Sequence, residues 1–213
     1  MESAPERQQV PPRNLTRINP GARGAGSVGV MKTIFPVAAW HDEHVYFNQL
    51  LKLLQREVDV FHFGGRPNYE LMHDIVSYLR EYGDEAHHPR EDAAFASLAR
   101  RCPDMKLALG RLTQEHRVIA QAGESLLRLI EAILGGAVVP RPEVEMAAAT
   151  YLVYYGNHIA KEEEDVLTRA AMHLTDADWQ AVKDAAPKLR HPRFGKRAER
   201  RYRELRRQIA LEQ

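Results

Sequence analysis

The sequence predicts an all-α protein, an up-down four-helix bundle, and three observations carry that expectation. Apolar residues recur at three- and four-residue spacing through four long segments, the mark of helices with one buried stripe. Glycine- and proline-bearing breaks at Gly64-Gly65-Arg66-Pro67, Pro103 and Gly135-Gly136 separate those segments. No segment alternates with period two over a useful length, so no strands are expected. Four amphipathic helices joined by short connections close as an up-down bundle.

Residues 1–33 mix Pro, Arg, Gly and Ser, with four glycines between Gly21 and Gly29, and read as a disordered N-terminal tail. The bundle is expected over 34–187. Its first helix carries His44, Phe47, Leu51, Leu54 and Val58 inward and stops before Gly64. The second aligns Met72, Ile75, Leu79, Gly83, His87, Glu91, Ala94 and Leu98. Pro89 falls inside it, lacks a backbone donor and crowds the preceding turn, so a kink is expected between Gly83 and Pro89. The third begins after Pro103 and places Leu109, Leu112, His116, Ile119, Gly123, Leu126 and Ile130 on one stripe. The fourth begins near Pro142 and aligns Tyr151, Tyr155, His158, Glu162, Val166 and Ala170. Thr175 then reads as the N-cap of a further short helix. Residues 188–213 are expected to form a basic helical tail, with Ala198, Tyr202, Leu205 and Ile209 at helical spacing among arginines.

Composition narrows the function classes. The 213 residues carry a net charge of only +1, unevenly spread. The first 33 residues hold five basic and two acidic side chains and the last 26 hold ten and three, leaving 24 acidic against 15 basic between them. An acidic body argues against nucleic acid binding by the bundle. The basic tail fits self-association or a protein partner better than nucleic acid. No apolar stretch approaches the roughly 20 residues that span a bilayer, and no apolar secretory segment opens the chain, so a cytoplasmic protein without a membrane span is expected. Cys102, the single cysteine, allows no internal disulfide.

One pattern occurs twice. Glu43-His44 precedes His87-x-x-x-Glu91, and Glu115-His116 precedes His158-x-x-x-Glu162; the intervals from lone to paired histidine are 43 and 42 residues. Residues four apart share a helix face, so each pair presents an imidazole and a carboxylate together. Six ligands, His44, His87, Glu91, His116, His158 and Glu162, all lie on core stripes, where unpaired ions would cost several kcal/mol each. The spacing therefore reads as a dinuclear metal site, with a donor set suited to iron or manganese over magnesium or calcium. His88 and Asp92 offer a competing frame one residue along, but the 43-residue interval favours His87 and Glu91. A lone tetrahedral zinc has no use for six ligands. A ferritin-like Glu-x-x-His design fits once, at Glu85 and His88, and fails where Tyr155 stands in place of the second glutamate.

The residues Asp42-Glu43-His44, His87-His88-Pro89-Arg90-Glu91-Asp92, Glu115-His116 and His158-x-x-x-Glu162-Glu163 resemble the hemerythrin-like HHE cation-binding family, over about residues 38–173. The resemblance implies a four-helix bundle around a non-haem di-iron centre, with His44, His87, His116 and His158 as terminal ligands and Glu91 and Glu162 as bridges. Manganese and zinc fit that implied centre less well than iron. The sequence departs from the oxygen-carrying hemerythrins at Leu112, which stands where they have a further histidine, and at Glu163, which stands where they have the final carboxylate. His41 could restore a fifth imidazole, Tyr155 could bind metal or a bound ligand, and His88 and Asp92 could orient the ligands. The implied activity is binding or reduction of a small ligand, oxygen, nitric oxide or hydrogen peroxide, in oxygen, nitrosative or oxidative stress handling. The alternative is an iron- or oxygen-responsive sensor without turnover.

Overall fold

The structure, a computed structural model, describes residues 27–185, Leu205 and residues 207–210. Helix α1 spans Ser27–His62, α2 Tyr69–Tyr78, α3 His88–Arg101, α4 Lys106–Leu134, α5 Arg141–Lys161, α6 Leu167–His173 and α7 Asp176–Ala185. No strand occurs among the described residues. The segment Leu79–His87 joins α2 to α3 as π-helical turns, and Glu162–Val166 joins α5 to α6 in the same way. Each join makes one long helix, so α1, α2–α3, α4 and α5–α6 are the four expected members. Helix α1 packs on α2 and α5, and α4 packs on α2, α3 and α5, closing the bundle as expected.

The local chemistry of the connections is visible in the chain. Gly64 and Gly136 adopt φ of +80° and +85°. These follow the last turns of α1 and α4, where glycine enters the left-handed region without a Cβ clash. The Gly65 and Ala137 amides then donate back to the Val60 and Ala132 carbonyls at 2.9 Å, closing the helix ends. Asn68 accepts from the Leu71 amide to start α2. Thr175 and Asp178 exchange hydrogen bonds at the start of α7, as the N-cap reading expects.

The irregularity expected between Gly83 and Pro89 takes the form of π-helical turns. Without its own N–H Pro89 cannot continue the α-helical ladder, and the chain answers by widening the preceding turns: the His88 amide donates to the Gly83 carbonyl five residues back. The extra residue in each widened turn shifts the register of the side chains. Helix α1 also begins at Ser27, ahead of residue 34. Val28, Met31 and Phe35 already follow helical spacing, a signal that the neighbouring glycines obscured. Residues 1–26, the remainder of the tail expected to be disordered, lie outside the described residues. So does most of the expected C-terminal helix over 188–213, except that Leu205 and residues 207–210 are helical, with Leu205 and Ile209 buried.

Two apolar clusters make up the core. One gathers Phe47, Leu50, Leu54, Met72, Ile75, Leu79, Ile119, Leu126 and Tyr151, and includes Leu205 and Ile209. The other gathers Trp40, Phe95, Leu98, Leu109, Leu112, Val166, Leu167 and Trp179, with α7 packed on α3. Between them each of the four bundle members places a buried polar group: His44 on α1, His87, His88 and Glu91 at the α2–α3 junction, His116 on α4, and His158 and Glu162 at the α5–α6 junction. Leu54 is fully buried in the first cluster. Leu54→Ala is expected to cost about 2–5 kcal/mol, read as a lower denaturant midpoint with an unchanged slope, and without loss of the polar layer on the far side of Phe47. No helix among the described residues is long and apolar enough to cross a membrane.

Candidate metal centre

The four helices bring the six expected ligands into one buried layer, sorted into two sets. In the first, His44 Nε2 and His87 Nε2 are 3.2 Å apart, Glu91 Oε1 lies 3.2 Å and 2.6 Å from them, and Glu162 Oε2 lies 3.2 Å from His44 Nε2. In the second, His116 Nε2 and His158 Nε2 are 3.0 Å apart, Glu91 Oε2 lies 3.2 Å from His116, and Glu162 Oε1 lies 3.2 Å from His158. Each set thus has two imidazole nitrogens and one oxygen from each glutamate. Both glutamates turn one oxygen to each set.

Behind each imidazole stands a carboxylate on the other ring nitrogen. His87 Nδ1 donates to Glu43 at 2.6 Å, His158 Nδ1 faces Glu115 at 3.4 Å, His44 Nδ1 donates to Glu163 at 2.7 Å, and His116 Nδ1 donates to Asp92 at 3.1 Å. An Nδ1–H held by a carboxylate leaves the Nε2 lone pair free and aimed at the centre. The partners repeat at equal offsets in the two halves. Glu43 and Glu115 each precede a lone histidine yet meet the paired histidine of the next helix. Asp92 and Glu163 each follow a central glutamate yet reach the lone histidine of the other half. Arg90 and Lys161, each one residue before a central glutamate, donate to Glu43 and Glu115.

The asymmetry between the halves lies one turn before each lone histidine. Trp40 Nε1 donates to Glu91 Oε1 at 2.6 Å and lies 3.0 Å from His44 Nε2, covering the first set. Its counterpart is the apolar Leu112.

The charges are mutually sustaining. Burial works against the His158 cation, but Glu162 and Glu91 outweigh it and raise its pKa to about 10. Burial likewise opposes the His116 cation, and Asp92 and Glu91 bring it up to about 9. Burial would raise Glu43, yet His87 and Arg90 hold it down to about 2. His88 is the exception: burial and the neighbouring His116 keep it neutral, well below the usual histidine range.

The other candidate residues are placed as follows. His41 is largely exposed, 2.8 Å from Glu163 at the outer rim. Asp92 holds His116, as an orienting group should. His88 stacks on His116 at 4.3 Å and lies within reach of Glu91, His116 and His158. Tyr155 is fully buried, its hydroxyl packed against Gly83. Glu43, Glu115, Glu163, Arg90, Lys161 and Trp40 are the contributors that the stripe reasoning leaves out. The repeated offsets were the signal that could have found the first five.

The hemerythrin HHE cation-binding domain matches residues 36–170. The chain belongs to that family. The match begins before Trp40 and ends after Glu163, so it encloses every residue of the polar layer. Neither a curated protein nor a solved structure matches the chain. Membership in this HHE family implies metal binding, and the buried histidine and glutamate layer is compatible with a metal site.

Proposed function

We propose that this HHE protein is a di-iron protein that binds or reduces oxygen, nitric oxide or hydrogen peroxide. The observation that carries the reading is the division of six buried ligands into two equivalent sets, each with two nitrogens and two oxygens, joined by Glu91 and Glu162. The residues fit iron: imidazole and carboxylate donors suit it, and four protein donors leave positions open on an ion that prefers more than four. Zinc would be satisfied by four donors, and manganese competes on carboxylates. His44, His87, His116 and His158 would hold the outer positions and the two glutamates would bridge. Two irons held there would supply the electrons that a small ligand takes up.

The chain's own residues set the conditions. Glu43, Glu115, Asp92 and Glu163 fix the imidazole tautomers, and the two apolar clusters exclude bulk water from the layer. A cavity of about 300 Å³ is lined by Met105, Leu112, Val166 and Glu115, the residue that holds His158. It opens on the side where Trp40 has no counterpart, with Asp104, Arg111, Lys161, Asp165 and Arg169 at its rim and none of the six ligands in its wall. Buried, unpaired Cys102 agrees with a reducing, cytoplasmic setting.

A sensor without turnover is the second reading. Leu205 and Ile209 sit in the same cluster as Tyr46 and Phe47, which ties the basic tail to the bundle that the metal would stabilise. Ferrous iron added without air, followed by metal analysis and absorption spectra before and after oxygen, tests the proposal. About two irons per chain with a new near-ultraviolet band on oxidation are expected. A folded chain that retains no iron would sink it. Metal-dependent tail exposure without consumption of peroxide or nitric oxide would move the weight to the sensor.

A further inference from the structure

On the side of the polar layer away from Trp40, five polar residues form a column that the ligand sets do not use. His88, Asp84 and Arg80 succeed one another by four residues along the π-helical turns. Tyr155 and Tyr151 do the same on α5, at the positions equivalent to Asp84 and Arg80, three and seven residues ahead of the paired histidine. His88, Tyr151 and Tyr155 are at most 3% exposed. Both His88 ring nitrogens, both tyrosine hydroxyls, Asp84 Oδ1 and Arg80 Nε are buried and reach no hydrogen-bond partner among the described residues.

A buried hydroxyl or imidazole N–H without a partner costs on the order of 1–3 kcal/mol. Six such atoms in one chance row would be a heavy burden for a small bundle. Their placement gives them a common purpose. His88 lies 5.6 Å from the Tyr155 ring and 4.3 Å from His116, which belongs to the second ligand set. Tyr155 and Tyr151 rings are 5.6 Å apart, and Asp84 Oδ1 is 3.4 Å from His88 Nδ1. Arg80 is one-third exposed, so the column begins at solvent and ends at the ligand layer. Glycines make the room: a Cβ on Gly83 would stand 2.5 Å from the Tyr155 hydroxyl, and one on Gly123 would stand 2.8 Å from the Tyr151 ring and 3.3 Å from the Arg80 stem.

We infer that Arg80, Asp84, Tyr151, His88 and Tyr155 line an internal file of water molecules that carries protons from solvent to the metal layer. Six unpartnered polar atoms on adjoining side chains offer the two to four partners that each buried water needs. This rests on the di-iron reading for its purpose. Reduction of one hydrogen peroxide to two waters takes two electrons, supplied by two ferrous ions that become ferric, and two protons that must come from outside. Beside Trp40 the layer is closed by the apolar side chains Phe95 and Trp179, with no comparable row of unpartnered polar atoms among the described residues. Protons move along the file by exchange of hydrogen bonds between waters and hydroxyls, so no lining residue has to change charge.

Three measurements on the full chain test this with Tyr151→Phe and Gly83→Ala. A high-resolution crystal structure of the wild type is expected to show ordered waters touching the Tyr151 and Tyr155 hydroxyls, Asp84 and His88; a dry column overturns the inference. Tyr151→Phe is expected to leave the melting midpoint unchanged or lower, because it removes a satisfied hydroxyl. A clear rise would mean that the hydroxyl was dry and unsatisfied. With iron bound at wild-type stoichiometry, both variants are expected to consume peroxide on the order of tenfold more slowly, with a larger solvent deuterium isotope effect. Unchanged rates and isotope effects in both would remove the proton role while leaving the metal reading intact. A wild-type chain that binds no iron sinks the di-iron reading and its proton demand; the first two measurements then decide the water file.

Discussion

Glu91→Ala is expected to lower bound iron from about two to one or fewer per chain, and to destabilise the metal-free protein as well. Glu91 is 1% exposed and is the one side chain that touches Trp40, His44, His87 and His116 together. Its removal leaves two imidazole pairs, each 3.0–3.2 Å apart, with Glu162 as the one central carboxylate still facing both. Breaking a buried ion pair from one side costs about 3–5 kcal/mol, which for a chain of this size is roughly 10 °C in the melting midpoint. Glu91→Gln keeps the shape and one acceptor oxygen, so it should fold better than the alanine variant and still bind metal poorly. Glu162→Ala should behave like Glu91→Ala, because Glu162 spans the two sets in the same way. Metal analysis beside calorimetry on the three variants separates the effects. Two irons retained in both alanine variants would refute the bridging role.

The inner layer was legible because helix periodicity is a strong constraint. Once His44, His87, His116 and His158 fall on apolar stripes, they must meet wherever four stripes meet. The stripe of α4, from Leu109 to Ile130, is buried residue for residue. The outer carboxylates were less legible for the same reason. Glu43 lies about 100° around the helix from His44, and by that geometry it leaves the core. What returns it to the site is the neighbouring helix, which brings His87 to within 2.6 Å. Periodicity on one helix says which face points inward and nothing about which flank meets the next helix. The repeated offsets do carry that information, since two halves related by rotation must use equivalent flanks.

Pro89 marks another limit. A missing donor is certain from sequence, but that the chain answers it with π turns depends on what gains from the shift. Here the widened turns keep His87 and Glu91 in the layer and line Arg80, Asp84 and His88 along a second face. The tyrosine pair on α5 sits opposite. Tyr151 and Tyr155 fall on the stripe of α5 and read as inward, whereas the charge of Asp84 and Arg80 marks them as surface residues until the neighbouring helices cover them.

The metal-free protein is expected to lose stability as pH rises from about 7 to about 10, while the metal-loaded protein gains on it over the same range. His116 and His158, at about 9 and about 10, bind protons more tightly when folded than the ordinary unfolded histidine does. His44 and His87 shift the same way, burial being outweighed by Glu162, Glu163 and Glu91 for the first and by Glu91 and Glu43 for the second. A raised folded pKa gives stability that is complete below the unfolded value and is lost as pH climbs through the folded one. Asp84, pushed up to about 7 by burial, begins the decline earlier. On the acid side Glu43, held down to about 2, loses its contribution as pH falls toward that value, and neutral His88 adds a penalty once an unfolded histidine can charge. The metal-free optimum therefore lies on the mildly acidic side of neutrality. A cation reverses the alkaline limb, because it needs the Nε2 lone pairs that those protons occupy and must displace them to bind. Melting midpoints with chelator and with anaerobic iron, recorded across this range, should diverge as pH rises. A chelated midpoint that stays level or rises between about pH 7 and about pH 10 would mean that the imidazoles are already neutral in the folded chain. The layer would then be held by packing and hydrogen bonds instead of by the charge that a metal replaces.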